Sequence, residues 1–268
     1  MKKIIYSLLI GAIMLAVSCS KFTDVQPKGK NLLATTDQLE MLLNNEFSLD
    51  DRDMRQMAGD FIMAFENIPT LLGKPNKTRQ AILLSWDEAN IDQMAELTTS
   101  DNTYSTAYGI IGKISNAILS RVDEATGPQP VKDQLRSEAL VLRAYYHYIL
   151  VNKFAKAYNP ATAANDPGIP YVTEEWDINQ PTEKVSVKEV YENIIRDLDE
   201  AIQLNALPVS AVNRMRMNKA SAYAVKALAL MNMQQFEEAS ATAKQALALN
   251  NVVNNYNQML SSFTGYLL

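Results

Sequence analysis

The chain has 268 residues, 47% hydrophobic and 21% charged, a composition typical of a globular protein with a buried core. Its formal net charge of −5 argues against non-specific binding to nucleic-acid phosphates. One histidine and one cysteine exclude HExxH sites, other multi-histidine metal sites, thiol–zinc clusters and internal disulfides, so no metal or other cofactor is expected.

The N-terminus predicts a signal peptide that ends at a lipidated cysteine. Lys2 and Lys3 precede an apolar run that is too short to span a membrane and is typical of a signal-peptide core. The run ends in Leu-Ala-Val-Ser-Cys, which resembles the lipobox of bacterial lipoproteins, although Ala16 stands where leucine is usual. We expect residues 1–18 to be removed and residues 19–35 to form a tether acylated at Cys19. Plain secretion is the alternative.

The first part of the chain predicts two helices separated by a poorly periodic stretch. Thr36 is expected to cap a short helix that ends at Leu43, whereas residues 44–90 predict loops around short helices. Apolar residues from Tyr104 to Val122 recur with helical spacing, and Gly127 followed by proline stops that helix.

Residues 135–204 predict two amphipathic helices joined by a long connection. Ser186 and Glu189 form a capping box, which marks the start of the second helix. About thirty residues rich in proline, glycine and asparagine separate the two helices, too many for a simple turn. The apolar positions recur at steps of three and four: Leu135, Ala139, Leu142, Tyr146 and Ile149, then Val187, Val190, Tyr191, Ile194, Ile195, Leu198, Ala201 and Ile202.

A second helical pair follows Pro208 and fits the tetratricopeptide (TPR) pattern of aromatic and small residues. No segment shows the sustained alternation of a strand. We therefore predict an all-α, TPR-like helical-repeat scaffold with long loop insertions over residues 36–268, with pairs at 131–204 and 217–250. The positions that carry the pattern are Tyr223, Ala227, Leu230 and Met231, then Phe236, Ala239, Ala243, Ala246 and Leu247.

Two side chains within the first predicted helix are expected to be structural. Arg143 lies in an otherwise apolar stretch, so its guanidinium should tie down an acidic residue or loop carbonyls in the connection around Asp166. Contact with a ligand is the alternative for Arg143. His147 is expected to be a packing residue with satisfied hydrogen bonds.

No catalytic motif stands out. The chain lacks a GxSxG elbow, a Walker-type loop and a dinucleotide fingerprint. Carboxylates cluster at residues 50–53 and 174–177, but both groups are interpreted as solvated loop acids rather than a glycosidase pair. We therefore expect a protein that is not an enzyme.

Four segments of the chain resemble the SusD/RagB family of glycan-binding surface lipoproteins of Bacteroidetes. The most specific segment joins an arginine–alanine–tyrosine run to a Gly-Ile-Pro crossing at the family's spacing. The four are Cys19 to Pro27; Tyr104 to Leu119 with Asn116; Glu138 to Tyr146 with Asp166-Pro-Gly-Ile-Pro and Val190 to Leu198; and Asn218 to Leu249.

The resemblance implies a lipid-anchored protein on the surface of the outer membrane that binds oligosaccharide or polysaccharide. It also implies cooperation with a SusC-like TonB-dependent transporter, without catalysis or a cofactor. Family members continue well beyond the second helical pair, so we expect a truncated member or a fragment. The alternative function is a protein-interaction scaffold without glycan binding of its own.

Sugar binding needs aromatic faces for the pyranose ring and amides or carboxylates for its hydroxyl groups. Such residues should lie in loops, and the family tends to place them in the loop before the tyrosine-led helix. Anchoring of irregular segments to the scaffold is the alternative role for both tryptophans. The expected glycan-binding residues are Trp86, Asp101, Asn102, Tyr104, Tyr171 and Trp176.

Overall fold

The computed structural model describes residues 33–44, 82, 87–93, 102–176, 180–213 and 215–253. The predicted signal peptide and nearly all of the tether lie outside these residues. The described residues from Ala34 onward belong to one compact unit that contains no strand, only two isolated β-bridges. None of the described helices has the length and apolar character needed to cross a membrane. The all-α prediction is confirmed.

Seven α-helices follow one another in the described ranges, together with a 3-10 turn and one π-helical segment. They are α1 (Thr36–Leu43), the 3-10 turn (Glu88–Asn90), α2 (Asn102–Ile110), the π segment (Ile111–Asn116), α3 (Ala117–Leu119), α4 (Gln129–Phe154), α5 (Val187–Gln203), α6 (Lys219–Asn232) and α7 (Phe236–Leu249).

Helix α4 is the centre of the fold. It packs against α1, α2, the π segment, α3, α5 and α6. The predicted apolar face of α4 is buried at Leu135 and Leu142, and α5 meets it with Ile194 and Leu198, both fully buried. The Ser186 hydroxyl accepts a hydrogen bond from the Glu189 amide at 3.2 Å, so α5 begins where its cap predicted.

The second pair, α6 and α7, stacks on the first through contact between α5 and α6. This stacking buries Val225 and Leu230 and follows the TPR-like arrangement expected of repeats that cannot bury their apolar faces alone. Asn218 and Ser221 form a reciprocal capping box at the start of α6. Part of the predicted apolar face stays exposed, most clearly at Phe236.

The cap of α1 is Thr35, so the prediction of Thr36 was wrong by one residue. Thr35 has an extended backbone and its hydroxyl accepts from the Gln38 amide at 3.3 Å. Thr36 is already helical and donates its amide to the Thr126 carbonyl at 3.0 Å. A Cβ on Gly127 would lie 2.2 Å from the Thr36 hydroxyl oxygen, so this close contact requires glycine.

A buried ion pair joins α1, α4 and the connection before α6. Nε of Arg216 donates to Glu138 at 2.5 Å and its NH2 donates to the other carboxylate oxygen at 2.7 Å. Its NH1 donates to Glu40 of α1 at 2.9 Å. Both Arg216 and Glu138 are buried, and bidentate geometry compensates the cost of removing their charges from water.

The helix predicted from Tyr104 to Val122 is interrupted by the π segment and ends at Leu119. A π turn contains an extra residue, which shifts the following side chains around the helix axis. As a result, Ile114, Ser115 and Asn116 are all buried in one turn. This shift places the Asn116 amide inside the fold.

Candidate functional site

The crossing, residues 155–186 between α4 and α5, is held to the helices through the backbone of its middle part. The Tyr108 hydroxyl donates to the Pro170 carbonyl at 2.8 Å, and the Asn116 amide donates to the Val172 carbonyl at 3.1 Å. Within the crossing itself, the Gly168 amide donates to the Val185 carbonyl at 2.9 Å. The described part of the crossing is therefore an ordered element of the structure.

Arg143 of α4 is the main side chain beneath the crossing. Its Nε donates to Oδ2 of Asp197 at 2.6 Å, and its NH2 donates to Oδ1 of the same carboxylate at 3.0 Å. Its NH1 donates to Oδ1 of Asn116 at 3.3 Å and also bonds the Glu174 carboxylate. One guanidinium thus connects the π segment, α4, α5 and the crossing.

The electrostatics of this cluster favour the charged forms of Arg143 and Glu174. Burial acts to lower the pKa of Arg143, but the hydrogen bonds and charge of Asp197 outweigh it and hold that pKa above its usual range. Burial acts to raise the pKa of Glu174, but the backbone amide of Glu174 and the charge of Arg143 hold it below its usual range. Each charge is therefore stabilised by an oppositely charged partner.

His147 is completely buried one turn after Arg143 and makes two hydrogen bonds. Nε2 accepts from the Val172 amide at 3.1 Å, so the ring proton lies on Nδ1, which donates to the Arg143 carbonyl at 2.9 Å. Burial lowers the pKa of His147 to about 3, although the bond to that carbonyl acts to raise it. The imidazole is therefore neutral near pH 7.

Tyr171 of the crossing is half-buried and packs one face of its ring against this cluster. Its ring stacks on His147 with centroids 3.9 Å apart, and its hydroxyl donates to Asp197 at 2.7 Å. Burial and the Asp197 charge raise the pKa of Tyr171 well above its usual range. One face of this expected glycan-binding residue is therefore covered by protein.

Two sequence-based interpretations need correction. Arg143 binds acidic residues as expected, but they are Asp197 and Glu174. Asp166 instead bonds Lys156 at 2.8 Å and Thr162 at 2.6 Å within the crossing. These bonds lower the pKa of Asp166. Glu174 was interpreted as a solvated loop acid, yet it pairs with Arg143.

The remaining described candidates are two exposed aromatic residues. Trp176 is 41% exposed and lies two residues after Glu174, the point at which the crossing is tied to Arg143. Tyr104 is 38% exposed and packs edge-on against Phe154, with ring centroids 5.1 Å apart. Both residues therefore expose part of their rings close to a contact that ties their segment to the scaffold.

Trp86, Asp101 and the side chain of Asn102 lie outside the described residues. Among the described residues, no group of three or more histidine, cysteine, aspartate or glutamate side chains could hold a metal ion.

Asp197 is the main residue that the sequence analysis missed, although a signal was present. It lies three residues after Ile194 and four before Ala201, on the apolar face of α5. A buried acidic residue on such a face requires a partner of opposite charge, and Arg143 of α4 is that partner. The two residues are 54 positions apart, so sequence spacing alone does not pair them.

Comparison with known proteins relates this chain to one protein family and to several solved structures. Residues 21–231 match a SusD-like family described as starch-binding and associating with the outer membrane. No curated protein matches the chain.

Several solved structures share the fold. A SusD superfamily protein from Bacteroides vulgatus has a TM-score of 0.60 and 15% identity, covering 85% of this chain and 51% of that protein. A SusD-like carbohydrate binding protein from the same species has a TM-score of 0.56 and 18% identity over 84% and 47%. A SusD superfamily protein from Bacteroides thetaiotaomicron has a TM-score of 0.57 and 17% identity over 84% and 49%. The chain spans about half the length of these proteins.

Replacing Arg143 with alanine should lower the free energy of unfolding by about 3–5 kcal/mol, because Asp197 would remain buried without its cation. Arg136→Ala on the same helix is the matched control. Arg136 is half-buried and pairs with Glu200 at 2.9 Å, so its loss should cost about 1 kcal/mol or less. Urea denaturation measures both values, and equal losses would contradict the central role of Arg143.

The stability of the protein should fall as the pH is lowered from 7 to 5. The unfolded pKa of histidine is about 6.5, whereas that of folded His147 is about 3. Above pH 6.5 the imidazole is neutral in both states, so its contribution to the free energy of unfolding is complete. Below pH 6.5, only the unfolded state takes up the proton, which lowers the free energy of unfolding by about 2 kcal/mol by pH 5.

Urea titrations at successive pH values measure this slope, and His147→Gln is the reference because glutamine does not titrate. The variant should be less stable at pH 7 but nearly independent of pH between 7 and 5. Parallel slopes in the two proteins would show that His147 is not the group responsible.

Proposed function

Because this chain belongs to the SusD-like family of starch-binding proteins associated with the outer membrane, we propose that it binds an oligosaccharide or polysaccharide at the cell surface. The family match over residues 21–231 is the observation that carries the proposal. Its role is binding rather than catalysis, in keeping with the carbohydrate-binding character of the family.

The geometry supports this function through the exposed aromatic residues. An indole or phenol face packs on the apolar side of a pyranose ring, and neighbouring polar groups bind the hydroxyls. Trp176 and Tyr104 expose ring surface on a scaffold of packed helices, which lowers the entropic cost of binding. The proposed glycan-binding residues are Trp86, Asp101, Asn102, Tyr104, Tyr171 and Trp176.

We further propose a lipid anchor and a transporter partner for this protein. Residues 1–18 are the signal peptide, residues 19–35 form the tether acylated at Cys19, and residues 36–268 form the SusD-like helical domain. Several acyl chains hold a domain at a membrane far more stably than one chain does. The proposed partner is a SusC-like TonB-dependent transporter, which takes up the captured glycan.

Native affinity electrophoresis of the detergent-solubilised protein against a panel of polysaccharides tests glycan binding. At least one glycan should retard the protein, and Trp176→Ala and Tyr104→Ala should each weaken that retardation about tenfold through loss of a stacking face. Phe236→Ala is the matched control because it removes an exposed ring from α7.

Two negative results have different meanings. Retardation by no glycan would overturn the binding function and leave a protein-interaction scaffold as the function. Retardation that neither Trp176→Ala nor Tyr104→Ala weakens would preserve the function and overturn the proposed site.

The lipid anchor is tested by Cys19→Ala, which removes the acylated residue. We expect this variant to move from the membrane fraction to the soluble fraction, measured by immunoblotting after ultracentrifugation. Ser20→Ala provides the control at the neighbouring position, and it should stay with the membrane. A Cys19→Ala protein that also stays there would contradict anchoring through this residue.

A further inference from the structure

Glu174 is a second carboxylate on a guanidinium whose charge is already balanced. Arg143 and Asp197 form a bidentate pair in which both side chains are buried, so the cation and the anion compensate each other without a further partner. Glu174 adds a negative charge to this pair from the crossing, and its side chain is 23% exposed. Compensation of buried charge therefore explains Asp197 but not Glu174.

Glu174 belongs to a turn that ends at Trp176. The backbone amide of Trp176 donates to the Thr173 carbonyl at 3.2 Å and closes this turn, with Glu174 and Glu175 as its two central residues. The Glu174 side chain is directed to Arg143, whereas Glu175 is exposed. Because a four-residue turn closed by a hydrogen bond moves largely as one unit, the ion pair of Glu174 also restricts the position of Trp176.

The chain just before this turn is held without Glu174. The Val172 amide donates to Nε2 of His147 at 3.1 Å, and the Val172 carbonyl accepts from Asn116 at 3.1 Å. Among the hydrogen bonds and ion pairs of the described residues, that of Glu174 is the one that ties residues 173–176 to a helix. The tie at Glu174 therefore extends the anchored part of the crossing by one turn.

Trp176 is a side chain for which such a restraint matters. Its indole ring is 41% exposed, and in the described part of the chain no ring stacks on it and no side chain hydrogen-bonds its nitrogen. An aromatic ring that stacks on a pyranose has to lie in one orientation. Ordering a mobile side chain during binding lowers the affinity, so a turn that is already held in place raises it.

We propose that Glu174 is a positioning residue for glycan binding: its ion pair with Arg143 holds the turn, and thereby the ring of Trp176, in position for a pyranose ring to stack on it. The inference rests on the proposed glycan-binding function and adds to it a residue that acts through Trp176. Glu174 itself faces Arg143 of α4 and not the sugar.

The fluorescence of Trp176 tests the restraint in the absence of any glycan. Trp86→Phe leaves Trp176 as the only tryptophan of the full chain. In this background Glu174→Ala should lower the fluorescence anisotropy of Trp176 and raise its quenching by acrylamide about twofold, because a released turn moves within nanoseconds and exposes more of the ring. Glu175→Ala is the matched control, since it removes the same side chain from an exposed position of the same turn. Equal signals in the two variants would overturn the proposal.

A double-mutant cycle distinguishes positioning from direct contact with the sugar. The probes are amylopectin, laminarin, xylan and galactomannan in native affinity electrophoresis of the detergent-solubilised full chain. For a probe that retards the protein, Glu174→Ala should weaken retardation about two- to tenfold, the cost of ordering one side chain on binding, and Glu175→Ala should not. In a Trp176→Ala background, Glu174→Ala should have no further effect. Effects that multiply would place Glu174 on the sugar and overturn the positioning role.

Urea denaturation separates positioning from a general loss of the fold. Arg143 keeps Asp197 in the Glu174→Ala variant, so the urea midpoint should stay close to that of the unmodified protein. If Glu174→Ala does not fold, Glu174→Gln, which keeps an acceptor for Arg143 without the charge, should give smaller changes of the same sign in both assays. Retardation by none of the probes would overturn glycan binding and with it the role of Glu174, whereas retardation with an unchanged Trp176 signal would overturn the positioning alone.

Discussion

The bidentate pair between Arg143 and Asp197 is the interaction on which the rest of the described structure depends. Both side chains are buried, so neither charge has access to water, and each is stabilised by its partner. The planar guanidinium accepts only a narrow range of carboxylate orientations. Rotation of α5 by one residue would turn Asp197 away by about 100°. The pair therefore fixes the rotation of α5 against α4, which hydrophobic contacts alone would specify less tightly.

The same helix carries a second buried charge of the opposite sign. Glu138 binds Arg216 and thereby ties α4 to α1 and to the connection before α6. Arg143 and Glu138 are five residues apart, so they point to different sides of α4. One side is tied to the crossing and the other to α1 and the connection before α6. This arrangement explains how a helix with so many buried polar groups can form the centre of a stable fold.

Periodicity predicted the helices and their apolar faces because the 3.6-residue repeat is a local property of α4, α5, α6 and α7. The cap at Ser186 was predicted for the same reason. The pairings of Arg143 with Asp197 and of Arg216 with Glu138 were not predicted, since they join residues 54 and 78 positions apart. Tyr171 was expected to be an exposed aromatic residue of a loop. Its contacts with His147 and Asp197 were not predicted, because composition does not reveal which side of a loop faces the protein.

The buried position of His147 has a consequence for the charge of the whole molecule. It is the only imidazole in the chain, and its pKa of about 3 keeps it neutral at any mildly acidic or neutral pH. Aspartate and glutamate titrate mainly below pH 5, and lysine and tyrosine titrate mainly above pH 9. The side chains thus contribute a nearly constant net charge from about pH 5.5 to 8. Electrostatic attraction or repulsion between this protein and a charged polymer would therefore respond to ionic strength rather than to acidity across that range.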